Sequence, residues 1–114
     1  MSGSVDRLLS IVVPVYNEED SLRALHTEIS NAMKSHDRFS YEIIFVDDGS
    51  KDSSFEMMRA LHEEDPAHVR AIRLRRNFGQ TAAMAAGFDA SQGELIVPMD
   101  ADLQNDPADI ARLV

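Results

Sequence analysis

Residues 8–15 read LLSIVVPV, a short and nearly continuous run of apolar, largely β-branched side chains. Three similar runs follow: YEIIFVDD at 41–48, VRAIRL at 69–74 and ELIVPMD at 94–100. Runs without strict alternation of apolar and polar residues are typical of strands covered on both faces, as in a parallel sheet. The sequence therefore predicts four strands of a buried sheet.

Segments with helical periodicity separate these strands. Apolar residues recur at helical spacing within 19–35 and within 53–64, and each set defines one face of a helix. Segment 80–91 is rich in Ala and contains one Gly, so we expect its helix to pack very close to the sheet. Ser53 and Glu56 have the spacing of a capping box. The apolar faces consist of Leu22, Leu25, Ile29 and Met33 in the first helix and of Phe55, Met58 and Leu61 in the second.

The order of these segments is β-α-β-α-β-α-β, with another helix opening at residue 107. Such alternation predicts an α/β fold with a doubly wound, mainly parallel sheet and right-handed crossovers. We expect residues 1–7 to form a disordered leader and residues 8–114 to form one domain. Asp106 and Pro107 suit the N-cap and first position of the last helix. Because the sequence stops soon after that start, we expect it to be the N-terminal part of a longer polypeptide.

The composition excludes several classes of function. The net charge of −9 argues against a nucleic-acid partner, because phosphate backbones are bound by basic surfaces. The absence of cysteine excludes disulfides and thiolate metal sites. No apolar run approaches the roughly 20 residues of a membrane helix, and no signal-peptide pattern opens the chain.

Polar residues follow each of the four predicted strands. In open parallel sheets, ligands bind beyond the carboxyl ends of the strands, so these residues are expected to share one rim. Some have purely structural explanations, since Asn17 could cap the first helix and Asp48 with Gly49 could form a turn. The residues at the predicted rim are Tyr16, Asn17, Glu18, Asp47, Asp48, Arg75, Arg76, Asn77, Asp100, Asp102 and Gln104.

Asp100 and Asp102 indicate a metal site. On an extended segment their side chains point the same way, about 6.5 Å apart along the chain, and two facing carboxylates require a cation or a proton. An all-oxygen set with Gln104 favours Mg²⁺ or Mn²⁺ and leaves positions for substrate phosphates. An EF-hand is excluded, because Asn105 stands where that loop needs Gly and Ala111 where it needs Glu.

Three stretches of this chain resemble a known family. They are IVVPVYNEE, IIFVDDGSKDSS and RRNFGQTAAMAAGFDASQGELIVPMDADLQNDP, and together they cover nearly all of residues 8–114. They are similar to the N-terminal half of inverting family 2 glycosyltransferases with the GT-A fold. The combination of NFGQ with MDADLQ is more specific and resembles the polyprenyl-phosphate branch, of the dolichyl-phosphate mannosyltransferase type. Neither of the familiar glycine-rich phosphate cradles, G-x-G-x-x-G and G-x-x-x-x-G-K-[ST], is present.

The resemblance implies nucleotide-sugar contacts at the ends of the first two strands. Pro14, Tyr16 and Glu18 match the family's first nucleotide-contacting loop. Asp48 matches the aspartate that contacts the base, and Asp47 stands beside it.

The resemblance also implies a catalytic metal centre that holds Mg²⁺ or Mn²⁺. Asp100 and Asp102 match the catalytic D-x-D pair, Asp100 near the ribose and the metal and Asp102 as a direct metal ligand. Gln104 matches a third metal-site residue, and Arg76 is expected near the phosphates. The four histidines match nothing in the family's site and are expected on the surface.

The implied reaction transfers a sugar, with inversion, from a UDP- or GDP-linked donor to a polyprenyl phosphate. The metal would stabilise charge on the leaving diphosphate, and an anionic acceptor largely removes the need for a general base. Family members continue for roughly another hundred residues, and many then carry membrane helices. We therefore expect the parent enzyme at the cytoplasmic side of a membrane. This chain alone is expected to bind donor and metal without turnover, with an exposed sheet edge that favours homo-oligomers.

Three other classes of protein share part of this pattern. A response-regulator receiver would place its acidic pair after the first strand, whereas Asp47 and Asp48 follow the second. A sugar nucleotidyltransferase would need a Gly-rich, basic loop where this chain has VPVYNEED. A non-catalytic glycosyltransferase-like binding module stays open at this stage.

Overall fold

The computed structural model describes residues 7–35 and 39–101. All seven strands and helices predicted within this part are present, with boundaries shifted by up to three residues. The first strand begins at Arg7, so this residue is not part of a leader, and residues 1–6 and the helix predicted from 107 lie outside the described residues. The elements are β1 (Arg7–Val15), α1 (Leu22–Lys34), β2 (Phe39–Asp47), α2 (Ser54–Glu64), β3 (Val69–Arg73), α3 (Gln80–Ala90) and β4 (Leu95–Pro98).

The four described strands form one parallel sheet in the order β3-β2-β1-β4. β1 pairs with β2 along its whole length, from Arg7 opposite Phe39 to Val15 opposite Asp47. Its other edge pairs with β4, where Leu9 lies opposite Leu95. The predicted doubly wound parallel α/β fold is therefore confirmed.

The two faces of the sheet are covered by different helices. Leu9, Ile11 and Val13 point from β1 into a core cluster that α1 and α2 complete. Val12, between them in sequence, points to the other face and packs in a second cluster with Ala83 of α3. Residues 9 and 11–13 are fully buried, which explains why β1 is apolar at nearly every position rather than at every second one.

The small residues of α3 allow this helix to lie against the sheet, as predicted. Gly87 is buried, and a Cβ atom there would collide with the side chain of Val12 and press on that of Val46. Any side chain larger than hydrogen would push α3 away from β1 and β2, the strands whose carboxyl ends reach the ligand-binding rim.

A buried polar network anchors the loop between α3 and β4. The Ser10 hydroxyl donates to Glu42 Oε2 at 2.6 Å and accepts the Gly93 N–H. Glu42 also accepts from the Gln92 N–H and from Arg70. Burial alone would raise the pKa of Glu42, but these hydrogen bonds and the Arg70 charge outweigh it and lower the pKa. The network ties the start of β4 to β1, β2 and β3.

The predicted capping box at the start of α2 is wrong. The Ser53 side chain makes no capping hydrogen bond. Instead, Asp52 Oδ1 accepts the Ser54 N–H at 2.9 Å, and the Ser53 N–H donates to Glu19 of the neighbouring loop. The Ser53 N–H, which the local spacing assigned to Glu56, is therefore satisfied by a partner 34 residues away in sequence. Within the described residues, no helix is long and apolar enough to cross a membrane.

Two of the histidines expected on the surface are partly buried partners of one carboxylate. Asp65 Oδ2 lies 3.0 Å from His26 Nε2, and Asp65 Oδ1 lies 2.8 Å from His68 Nδ1. The His68 ring also stacks on Tyr41, with ring centroids 4.0 Å apart. Asp65 thus joins α1 to the α2–β3 corner. His62 is exposed, as expected, and His36 lies outside the described residues.

We expect the Asp65 contacts to make stability depend on pH. Burial raises the pKa of Asp65, but hydrogen bonds and charge from His26 and His68 outweigh it and leave the pKa lowered. A lowered folded-state pKa contributes stability above the unfolded value of about 3.9, and this stability is lost as pH falls through the folded pKa. Asp65→Asn should therefore cost about 1–2 kcal/mol at pH 7 and progressively less below pH 4. Urea denaturation across this pH range measures it.

The matched control is Glu63→Gln, which removes an exposed carboxylate near the end of α2, two residues before Asp65. It should change the free energy of unfolding by less than about 0.5 kcal/mol at either pH. If both variants lost the same free energy of unfolding and this loss did not change with pH, the role given to Asp65 would be contradicted.

Candidate functional site

A cleft opens where the direction of strand order reverses. The chain proceeds outward from β1 to β2 and β3 and then returns to the other side of β1 with β4. Ligands of open α/β sheets bind at such a switch point, beyond the carboxyl ends of the strands. The cleft found there has a volume of about 370 Å³. Its lining residues are Pro14, Val15, Tyr16, Glu18, Asp48, Gln80, Asp100 and Ala101.

The loop after β1 is hydrogen-bonded to the loop after β2. Asn17 has a positive φ of 53°, its N–H donates to Ser50 Oγ, and its Oδ1 accepts the Lys51 N–H. Asn17 therefore does not cap α1, which was one of its expected roles, and Ser21 occupies the N-cap position. The side chain of Tyr16 is left 41% exposed at the mouth of the cleft.

The backbone of Glu18 and Glu19 is fixed in the same way. The Glu18 N–H donates to Ser54 Oγ at 2.8 Å, and the Glu19 N–H donates to Asp52 Oδ2 at 3.3 Å. Burial alone would raise the pKa of Asp52. Hydrogen bonds from Ser54 and Glu19 outweigh this effect and leave the pKa lowered. The anchored backbone holds Glu18 in the lining of the cleft.

The adjacent carboxylates Asp47 and Asp48 have different positions. Asp47 is fully buried and is not among the residues that line the cleft. Its Oδ1 accepts the Ser50 N–H, and its Oδ2 lies 3.7 Å from Arg73 Nε without a hydrogen-bond partner. The structure thus gives Asp47, predicted as a ligand contact, a position beneath the rim, where it shapes the β2–α2 turn.

Asp48 connects the end of β2 to the start of α3. Its carboxylate accepts the Phe78 N–H at 2.8 Å and the Gly79 N–H at 3.1 Å, and the residue is only 4% exposed. Gly49, with a φ of +75°, lets the loop pass closely, since a Cβ atom would collide with the backbone of Arg76 and Asn77. Asp48 lines the cleft and fixes its α3 side.

Arg76 lies on the rim but outside the cleft lining. Its guanidinium stacks over the Phe78 ring, 4.8 Å from the ring centroid, and both residues are exposed. The predicted position near phosphates would require this side chain to leave Phe78. Among the described lining residues, three are acidic and none is basic.

The predicted metal ligands fall only partly within the described residues. Asp100 is half-buried and lines the cleft on the side of β1 opposite Asp48. Asp102 and Gln104 lie outside the described part. Within that part no group of three His, Cys, Asp or Glu side chains could hold a metal ion. The oxygen-rich lining nevertheless fits a hard divalent cation, which prefers carboxylate and carbonyl ligands.

Sequence reasoning missed Gln80 as a site residue. Gln80 is the first residue of α3, and it lines the cleft with Asp48 and Asp100. The signal was present in the NFGQ motif, which follows β3 at the predicted rim. The Ala-rich pattern behind it placed Gln80 in a helix but gave no indication of the direction of its side chain.

The strand order and the acidic cleft place the chain among doubly wound α/β domains that bind ligands at the switch point. The family model for glycosyl transferase family 2 matches residues 10–114. The chain therefore belongs to glycosyl transferase family 2, as its motifs indicated.

Relatives of this chain are named as transferases of undecaprenyl phosphate. The undecaprenyl-phosphate 4-deoxy-4-formamido-L-arabinose transferases of Pseudomonas paraeruginosa and Yersinia pestis are each 50% identical to this chain. The alignments cover 94% and 93% of this chain but only 31% and 32% of those proteins. The chain thus spans about a third of the length of these relatives.

Solved glycosyltransferases share the fold. The mannosyltransferase PcManGT from Pyrobaculum calidifontis, in complex with GDP-Man and Mn²⁺, has a TM-score of 0.77 at 23% identity. Glucosyl-3-phosphoglycerate synthase from Mycobacterium tuberculosis, in complex with UDP, has a TM-score of 0.70 at 24% identity. They match over 90% and 92% of this chain and 30% and 38% of their own. The expected GT-A type of fold is thereby confirmed.

We expect the anchoring of the first loop to depend on Ser54 and not on its neighbour Ser53. Ser54→Ala removes the acceptor of the Glu18 N–H at a fully buried position and should cost about 1–2 kcal/mol. Ser53→Ala, the matched control, changes an exposed side chain without a capping bond and should cost less than about 0.5 kcal/mol. Urea denaturation compares the two, and a larger loss in Ser53→Ala would restore the capping box.

Proposed function

We propose that this chain is the donor- and metal-binding part of an enzyme that transfers a sugar from a nucleoside-diphosphate sugar to a polyprenyl phosphate. The observation that carries the proposal is the cleft at the switch point, where Asp48 and Asp100 line one space from opposite sides of β1. Membership of glycosyl transferase family 2 supports this assignment.

The donor would occupy the cleft, with its nucleoside between the first loop and Asp48. Pro14, Tyr16 and Glu18 are available on one side, and the exposed ring of Tyr16 offers an apolar surface for stacking. Arg76 can approach the phosphates only from its position outside the lining. Asp47 would contribute through the turn that it holds, not through contact with the donor.

Asp100, Asp102 and Gln104 would hold Mg²⁺ or Mn²⁺. The acidic cleft favours a cation, because a diphosphate brought among Glu18, Asp48 and Asp100 would otherwise meet only negative charge in the described lining. When bound, the metal supplies Lewis-acid stabilisation of the leaving diphosphate. The carboxylates of this chain hold and orient the donor so that the acceptor attacks the anomeric carbon from the opposite side, with inversion.

The acceptor class follows from the relatives whose names specify undecaprenyl phosphate. A phosphate acceptor is anionic near neutral pH, so the site needs no general base to generate the nucleophile. We propose that the parent enzyme works at the cytoplasmic side of a membrane, with membrane helices in its remaining part. We also propose a homo-oligomer through the edge of β4 that no other described strand pairs with.

The receiver alternative conflicts with the strand order. Receivers and other flavodoxin-like domains have the order 2-1-3-4-5, whereas β3 here lies beyond β2 on the far side from β4. Asp47 and Asp48, the acidic pair that suggested this alternative, are engaged by Ser50 and by the start of α3.

We expect nucleotide-sugar binding to require a divalent metal held by the D-x-D pair. Isothermal titration with UDP-glucose and with GDP-mannose should give binding with MnCl₂ and little binding with EDTA. Asp102→Asn removes a charged metal ligand and should weaken Mn²⁺-dependent binding at least about tenfold. Asp89→Asn, an exposed change of the same kind on α3, should bind like the wild type. Unchanged Mn²⁺-dependent binding in Asp102→Asn would refute the metal assignment.

We also expect the 114-residue chain to bind donor without completing the reaction. About two thirds of the length of the matched relatives has no counterpart in this chain, and we propose that the acceptor side is built there. Incubation with radiolabelled nucleotide sugars, Mn²⁺ and undecaprenyl phosphate should yield no labelled lipid. Extractable labelled lipid would show that residues 1–114 carry the whole reaction.

A further inference from the structure

The NFGQ motif contributes one residue to the lining of the cleft. Asn77, Phe78 and Gly79 form the loop between β3 and α3, and Gln80 begins the helix. Of these four residues only Gln80 lines the cleft. Gln80 is exposed and at the surface of its helix, so packing of the core does not account for its position.

The position of Gln80 is fixed by Asp48. The Asp48 carboxylate accepts N–H groups from the two residues that immediately precede Gln80, at 2.8 Å and 3.1 Å. The same loop also packs closely on Gly49, where the backbone of Arg76 and Asn77 leaves no room for a Cβ atom. Asp48 is therefore a positioning residue for the first turn of α3, whatever contact it makes with a ligand.

The chemistry of Gln80 differs from that of the other polar groups in the lining. Glu18, Asp48 and Asp100 are carboxylates, which when ionised only accept hydrogen bonds. The Gln80 amide both donates and accepts, and it carries no charge. It is the only carboxamide among the described lining residues, and it suits a ligand edge that presents a donor beside an acceptor.

The location of Gln80 indicates which part of a donor it would meet. β1 separates β2 from β4, so Asp48 and Asp100 lie two strand spacings apart, roughly 10 Å. Gln80 follows the residues bound to Asp48 and so belongs to the β2 end of the cleft. Under the proposed function, the metal and the diphosphate lie at the Asp100 end, which leaves the nucleobase at the β2 end.

We propose that Gln80 is a specificity-determining residue that hydrogen-bonds the polar edge of the donor's nucleobase, held in place by Asp48. This proposal rests on the proposed function, since it requires a nucleotide in the cleft. Bases such as uracil and guanine present N–H and C=O groups side by side, and the amide matches that pattern in a way that a second carboxylate would not.

The test compares Gln80→Met with Gln92→Met. Methionine has a similar length and helix propensity but no amide. Gln92 is also exposed and lies at the amino end of β4, remote from the cleft. Isothermal titration with MnCl₂ uses three probes: UDP, GDP and pyrophosphate, which has no base. The melting temperature of each variant should stay at the wild-type value, because neither side chain is buried.

Gln80→Met should weaken binding of the preferred nucleoside diphosphate about three- to tenfold, the loss of one or two hydrogen bonds. It should reduce the preference between UDP and GDP, and it should leave Mn²⁺–pyrophosphate binding unchanged. Gln92→Met should match the wild type throughout. Wild-type preference retained in Gln80→Met, or an equal loss for pyrophosphate, would overturn the role of Gln80 alone. Failure of the wild type to bind UDP and GDP would overturn the proposed function as well.

Discussion

The burial of β1 on both faces and both edges is the constraint on which the site depends. Its neighbours β2 and β4 satisfy its backbone groups, and two separate cores cover its side chains. A strand in this position cannot shift register without turning apolar side chains into the wrong core. The carboxyl ends of β1, β2 and β4 are consequently held at fixed heights, and the cleft lined by Pro14, Asp48 and Asp100 is the result.

The rim is built on hydrogen bonds between loops. Irregular backbone at a partly buried site must find partners for its N–H groups. Here side chains from the segment that follows β2 provide them. Ser54 and Asp52 accept hydrogen bonds from the loop after β1, and Asp48 accepts hydrogen bonds from the loop between β3 and α3. Much of the polarity that marks a binding site in the sequence therefore supports the site. Asp47 illustrates this point, since it is fully buried and engaged in the turn beneath the cleft.

The sequence predicted what depends on periodicity and missed what depends on distant partners. The four strands, the apolar faces of α1 and α2 and the parallel order follow from the spacing of buried residues, and the Ala-rich pattern of α3 already indicated the close contact that Gly87 makes. The capping box at Ser53 was predicted wrongly, and Asn17 does not take the capping role that it could have had, because both patterns are local and the actual partners lie 33–34 residues away. The pairing of His26 with Asp65, 39 residues apart, escaped notice for the same reason. Several residues of the motifs line the cleft, among them Tyr16, Asp48 and Asp100, but the Ala-rich periodicity of α3 gave no indication that Gln80 would join them.

The two ends of the cleft are suited to different parts of one ligand. At the β2 end, a neutral amide stands beside a carboxylate that is already engaged by backbone N–H groups, so recognition there would proceed through hydrogen bonds of modest strength. At the β4 end, Asp100 precedes a second aspartate in the sequence, and charge dominates. Hydrogen bonds of the first kind discriminate between bases without binding them tightly, whereas a metal among carboxylates binds any diphosphate. If the proposed donor binds in this way, selectivity and affinity would be separated along the cleft, with the apolar Pro14 and Val15 of β1 between the two ends.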